Sequence, residues 1–335
     1  MNCSVASVAE AFAELKAGLL SSGTVHRTGS DSLVPLSEFI EIRNACITFS
    51  NPRRRLGPCG VFVPGQAVAR FFWHLFGMSS LESISAYCPN VDRFANEDGE
   101  VLGSSYGRKI FRRENGQPSQ FEMVSAQMRA RPNTKRAFIA LLGRSELVEH
   151  PMDFACAIGL QMFPRDGVLH MTAFMRANNL TKLFCYNAFE FTMIQEWAAM
   201  RHGLELGEYT HSVGSLHSYD IERLRQPSSD NGIVMAPMPP TSDADMDVIA
   251  GLESRIRNIE TDLSAMRALV RDFGKVHEYW RDLLMALLMV RLERLSNGGA
   301  MHELAAYPEF GPVDAMQRAL SIKASPAPEK RVAVA

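Results

Sequence analysis

Apolar residues recur every three to four positions through residues 5–20 (VASVAEAFAELKAGLL), the spacing of an amphipathic helix, and Gly23 stands where it stops. The same period predicts a buried helix over 66–77 ending at Gly77, a short helix over 79–87, a helix over 119–131 with Ser119 as N-cap, and a helix over 187–203 stopped by Gly203. Strand signals lie at the end of 37–50 (ACITFS), at 137–142 (AFIALL) and at 209–213. Residues 154–164 and 168–175 read as a hairpin around the turn Pro164-Arg165-Asp166-Gly167. Residues 26–30 are a polar, Gly-containing turn, 96–110 are Gly-rich and turn-like and feed a strand or helix, and Asn51 to Arg55, with three arginines, reads as a surface or an interface. Beyond residue 225 the character changes: 226–245 is a Pro/Ser-rich loop, followed by helical patterns over 246–272, 275–296 and 301–322 and a mobile tail from Ser325. The chain thus divides into 1–225, a loop 226–245, and a helical extension 246–335.

Composition narrows the class. In 335 residues, 46% hydrophobic and 21% charged, there is ample material for a large core, and the formal net charge of −2 gives no global field for nucleic acid or a membrane surface. The longest apolar run, Leu283–Val290, is too short to span a bilayer and reads as buried helix. Six cysteines are scattered with no zinc spacing, and no signal-peptide pattern precedes the first helix, so reduced thiols in a cytoplasm are expected.

The chemistry concentrates between Cys156 and Tyr219. Arg176 follows Cys156 by 20 positions, Asn187 follows by 11 more, and His217-x-Tyr219 closes the stretch. A thiol, a guanidinium, an amide and a His/Tyr pair on one strand face suit a nucleophilic cysteine facing an anion and a heterocycle.

From about Arg27 to Glu222 the chain resembles the thymidylate synthase family, including relatives that make 5-hydroxymethylpyrimidine nucleotides. Arg27-Thr28-Gly29-Ser30 is similar to the family's phosphate loop, Trp73 to Gly77 to the end of its first large helix, and Tyr106-Gly107 to its catalytic Tyr-Gly. Lys135-Arg136 stand where the family has two arginines that reach into the partner subunit's site; Cys156 matches the nucleophile, Arg176 the phosphate arginine, Asn187 the base-reading asparagine, and His217 and Tyr219 the pair that holds the sugar hydroxyl. The resemblance implies an α+β thymidylate synthase fold, a large mixed sheet with helices on one face and the other face paired in a homodimer, with an added C-terminal helical region. It also implies a pyrimidine nucleoside monophosphate substrate and 5,10-methylenetetrahydrofolate as co-substrate. A thiolate adding to C6 makes C5 nucleophilic enough to take the one-carbon unit. Hydride from the folate then gives a methyl group, and water gives a hydroxymethyl group.

Departures from the family lean toward water. The His after the nucleophile is Ala157, the glutamate three before Trp73 is Arg70, and the folate-contacting aspartate is Asn179. The shielding indole of reducing synthases falls near Val91, where a smaller side chain admits water. Ala177 and Lys135 replace bulkier polar residues, which makes room for a ribose 2′-hydroxyl. Glu190, one helical turn from Asn187, either accepts from N4 of a cytosine or is a solvated or ion-paired glutamate. The expectation is hydroxymethyl transfer to CMP, similar to the CMP 5-hydroxymethylases of nucleoside-antibiotic pathways. The alternatives are a dCMP or dUMP hydroxymethylase, a reducing synthase, and an inactive nucleotide-binding paralogue.

Overall fold

The structure, a computed structural model, describes residues 1–28, 37–149, 153–230, 232–260 and 262–295. Its elements in chain order are β1 (Asn2–Val5), α1 (Val8–Ser22), β2 (Thr24–Arg27), β3 (Glu38–Phe49), α2 (Pro64–Leu75), α3 (Leu81–Ser85), α4 (Tyr106–Phe111), α5 (Gln120–Ala130), β4 (Phe138–Ala140) and α6 (Arg144–Glu149). Then come β5 (Ala157–Arg165), β6 (Val168–Asn179), α7 (Cys185–His202), β7 (Glu205–Ser218), α8 (Ile221–Arg225), α9 (Asp243–Arg257), α10 (Leu263–Asp272) and α11 (Glu278–Arg294).

The strands form one mixed sheet in the order β1-β3-β7-β6-β5-β4, with β2 pairing β3. Alternation in β6 shows how the sheet takes sides. Leu169, Met171, Ala173 and Met175 are buried, whereas His170, Thr172, Phe174 and Arg176 are half-exposed on the opposite face. The buried face carries α7 and α1, α2 packs on α7, and α11 packs on α2. Gly65 permits that last approach, since a Cβ there would lie 2.7 Å from the Ala286 carbonyl oxygen. Leu283, Leu284, Leu287 and Leu288 of α11 are at most 3% exposed, each contributing about 1.5–3 kcal/mol of burial. The β5–β6 turn is tight because Asp166 (φ 48°) and Gly167 (φ 83°) both take the left-handed conformation that a two-residue hairpin favours.

Four expectations are corrected. The polar turn at residues 26–30 begins as a strand, β2, along β3; Gly29 and Ser30 lie outside the described residues. Strands β3 and β7 run well past the short segments expected, since each pairs along most of its length with the other. The 246–272 pattern is two helices, because Asn258 closes α9 and Asp262 caps α10. The three arginines are not a surface patch. Arg55 is wholly buried against Glu196 (2.5 Å), Arg53 meets the same carboxylate (2.7 Å), and Arg54 pairs with Asp230 (2.8 Å). The expected helix over 301–322 and the tail lie outside the described residues. Among the described residues no helix is long and apolar enough to cross a membrane.

Candidate active site

Cys156 sits just before β5, half-buried, and Arg176 of the neighbouring β6 places Nη2 3.8 Å from its Sγ. Backbone pairing sets this approach, because the Arg176 amide donates to the Cys156 carbonyl (2.8 Å). The guanidinium is held by the Ala155 carbonyl (2.9 Å) and the Phe154 carbonyl (3.0 Å), and it lies 4.5 Å from the centre of the Phe154 ring. Among the described residues no carboxylate pairs with it, so its charge is available to an anion. Burial pushes the Cys156 thiol up and Asp153 adds to this, while Arg176 draws it down. The net direction is upward, which keeps most of the free protein in the thiol form at neutral pH. Iodoacetamide alkylation of Cys156 is therefore expected to keep rising through pH 9, and Arg176→Gln to slow it about three- to tenfold at pH 8, read by peptide mass.

Tyr106 opens α4 and is buried; its hydroxyl accepts from the Ala157 amide (3.3 Å), directly beside the thiol. Burial, then the neighbouring Cys156, raise its phenol far above the ordinary value, so it holds its proton. The next residue, Gly107, packs directly on α2, because a Cβ there would lie 1.9 Å from the His74 carbonyl oxygen. The same approach puts the Gly107 amide on His74 Nδ1 (3.2 Å), which leaves the His74 proton on Nε2, facing Glu190 Oε2 (3.1 Å).

Asn187 and Glu190 both lie in α7 and are buried. Glu190 Oε1 accepts from Arg70 Nε, so it is the ion-paired glutamate and not a solvated one. Asn187 Nδ2 donates to Glu190 Oε2 (3.4 Å), and its Oδ1 accepts from Asn178 Nδ2 (2.9 Å). Asn178 Oδ1 meets His211 Nε2 (3.0 Å), and His211 Nδ1 meets the Tyr209 hydroxyl (2.6 Å). Burial would raise the Glu190 carboxyl, but the Arg70 charge and the His74 bond outweigh it and leave it at about 2. Burial lowers His211 to about 3, so that ring is neutral.

The remaining sequence candidates fall in three places. His217 and Tyr219 stack edge to face (5.3 Å between ring centres) and both touch Phe39. His217 Nδ1 donates to the Ser215 carbonyl (3.3 Å), which leaves Nε2 as an acceptor; burial lowers its pKa, so the ring is neutral. Asn179 caps the turn before α7, its Oδ1 accepting from the Lys182 amide and the Thr181 hydroxyl (both 3.1 Å). Ala177 pairs with Ser215 in the sheet, Val91 is half-buried ahead of the short 92–94 helical turn, and Trp73 is core, donating to Ser83 (3.0 Å). Arg27 is exposed and ion-paired with Glu38 (2.9 Å), while Lys135 and Arg136 are exposed in the loop before β4. Among the described residues, no contact brings these three cations to Cys156. Sequence reasoning missed His74, Asn178, Tyr209 and His211. The available signal was a histidine, His211, on the inward register of a strand between buried Tyr209 and Val213.

A profile of the family "Thymidylate synthase" matches residues 62–257, more than half of the chain, and the chain belongs to the thymidylate synthase family. It is 28% identical over 214 residues to the deoxyuridylate hydroxymethyltransferase of Bacillus phage SP01, covering 58% of this chain and 54% of the phage protein. It is 27% identical over 132 residues to the thymidylate synthase of Bacillus mojavensis, covering 38% of this chain and 47% of that one. The chain spans about half the length of these relatives. Among solved structures, thermostable thymidylate synthase A from Bacillus subtilis superimposes with a TM-score of 0.55 at 18% identity, over 67% of this chain and 86% of that one, which is a likeness of fold.

Proposed function

We propose that the protein transfers a one-carbon unit to C5 of a pyrimidine nucleoside monophosphate and completes the reaction with water, giving 5-hydroxymethyl-CMP. The observation that carries the reading is the Cys156 thiol 3.8 Å from an Arg176 guanidinium with no carboxylate partner among the described residues. A nucleotide phosphate beside Arg176 places its base within reach of the thiol. Cys156 adds to C6, so C5 becomes the nucleophilic carbon. The protonated Tyr106 hydroxyl, bonded to the Ala157 amide next to Cys156, suits proton exchange at C5 or at the sulfur. His217 Nε2 and the Tyr219 hydroxyl suit the ribose hydroxyls, the one accepting and the other donating.

5,10-Methylenetetrahydrofolate supplies the one-carbon unit. Asn179 fits a pterin: its Oδ1 is committed to the turn, and its Nδ2 makes no bond to the described residues and can donate. Val91, smaller than the indole that the resemblance leads one to expect, favours completion by water. Ala177 and Lys135 favour a ribonucleotide for the same reason of space. Glu190, paired with Arg70 and adjacent to Asn187, favours cytosine over uracil. The sheet face that no described helix covers supports a homodimer in which Lys135 and Arg136 serve the partner's phosphate; it displays Phe138 (43% exposed), Ile158 (41%) and half-exposed Phe39 and Phe174.

Incubation with methylenetetrahydrofolate and each of CMP, dCMP, UMP and dUMP, read by mass, tests this. A gain of CH₂O on CMP is the expected result. A gain of CH₂ with dihydrofolate formation identifies a reducing synthase, and no gain on any nucleotide identifies an inactive relative.

A further inference from the structure

The chain Tyr209–His211–Asn178–Asn187–Glu190 is a relay of hydrogen bonds among groups at most 2% exposed, and it has only one consistent polarity. Glu190 sets it. An ionised carboxylate only accepts, and Arg70 and His74 each donate to it. The Asn187 atom facing it must therefore be the amide nitrogen. Asn187 Oδ1 then faces Asn178 Nδ2, Asn178 Oδ1 faces His211 Nε2–H, and neutral His211 accepts the Tyr209 proton at Nδ1. Turning the Asn187 amide over would set its oxygen against a carboxylate and would require every other member to reverse.

We propose that Glu190, held charged by Arg70, is a positioning residue that fixes the Asn187 amide in one orientation and thereby sets which pyrimidine the site accepts. Uracil offers a donor at N3 and an acceptor at C4; cytosine offers an acceptor and a donor. An amide free to flip serves both orders, and an amide locked by a charged neighbour serves one. Glu190 acts through Asn187, because its carboxylate is already taken by Arg70, His74 and Asn187 and is closed to solvent.

This inference rests on the pyrimidine nucleotide reading of the site. The test measures equilibrium binding of CMP and UMP, and tritium release from the 5-[³H] form of each, for four proteins. These are the wild type, Glu190→Gln, Glu190→Asp, and the double variant Arg70→Met with Glu190→Gln. The double variant removes the ion pair without leaving a half-buried arginine unpaired, so it remains informative if Glu190→Gln does not fold. The expected result is a CMP-to-UMP preference that falls tenfold or more in both Gln-containing variants and is largely restored in Glu190→Asp. A folded double variant that loses affinity for both nucleotides equally, or keeps the wild-type ratio, overturns the inference and leaves the nucleotide reading standing. A wild type that binds neither nucleotide overturns both.

Discussion

Cys156→Ala is expected to release tritium from 5-[³H]CMP at the background rate, a loss of roughly four orders of magnitude or more if the protein accelerates its reaction as enzymes ordinarily do. No other described thiol can substitute. Cys185 and Cys88 are buried, and burial pushes their thiols up, to about 12 for Cys88 and further for Cys185; Cys3, Cys46 and Cys59 are half-buried at other places in the fold. The alanine removes one sulfur beside Arg176, so its thermal midpoint should stay near the wild type's and nucleotide binding should persist. Tritium release from a folded alanine variant equal to that of the wild type would show that C6 addition does not run through this residue.

The second large effect is on stability. Arg70→Met should destabilise the fold by about 3–5 kcal/mol at pH 7, because it leaves the buried Glu190 carboxylate without its guanidinium partner. The sign with pH follows from the shifts. In the wild type the Glu190 carboxyl is held low, so its stabilising share is present above the unfolded value near 4.5 and fades only as pH falls toward about 2. Without Arg70, burial dominates and raises the carboxyl above 4.5. The variant should then be least handicapped below that value and lose stability as pH rises. Urea denaturation of both proteins at pH 5 and pH 7.5 reads this directly; a deficit that is equal at the two pH values would mean that Arg70 stabilises by packing on Tyr186 and not by charge.

The part of the candidate site that the structure brings together was legible because it is carried by order and spacing. Cys156 and Arg176 meet across adjacent strands of one hairpin, so their separation in sequence encodes their approach. Asn187 and Glu190 share a helix turn for the same reason. What stayed hidden was the partner of each buried charge. Arg70 finds Glu190 120 positions away, and Arg55 finds its carboxylate 141 positions away. Next to Pro52, in a polar run, Arg55 has every local mark of a surface residue. Strand β2 escaped notice because all four of its residues are exposed, so no alternation marks it. The helices of the extension were foreseen as helices, but not that α11 would lie on α2, the helix that carries Arg70 and His74.

The position of β7 has a consequence for how the chain can assemble. It lies between β3 and β6, pairing Ile40 with Ser218 on one side and Met175 with Val213 on the other. Until residue 218 has been synthesised, β3 and the β5–β6 hairpin each keep an open edge that nothing earlier in the chain closes. Such long-range pairing is slow to form, and the parallel β6–β7 contact is joined only through the α7 crossover. The two parts of the sheet are thus joined by the strand that comes last in the sequence. That strand carries His211 and His217, so one segment of chain closes the sheet and supplies side chains to the candidate site.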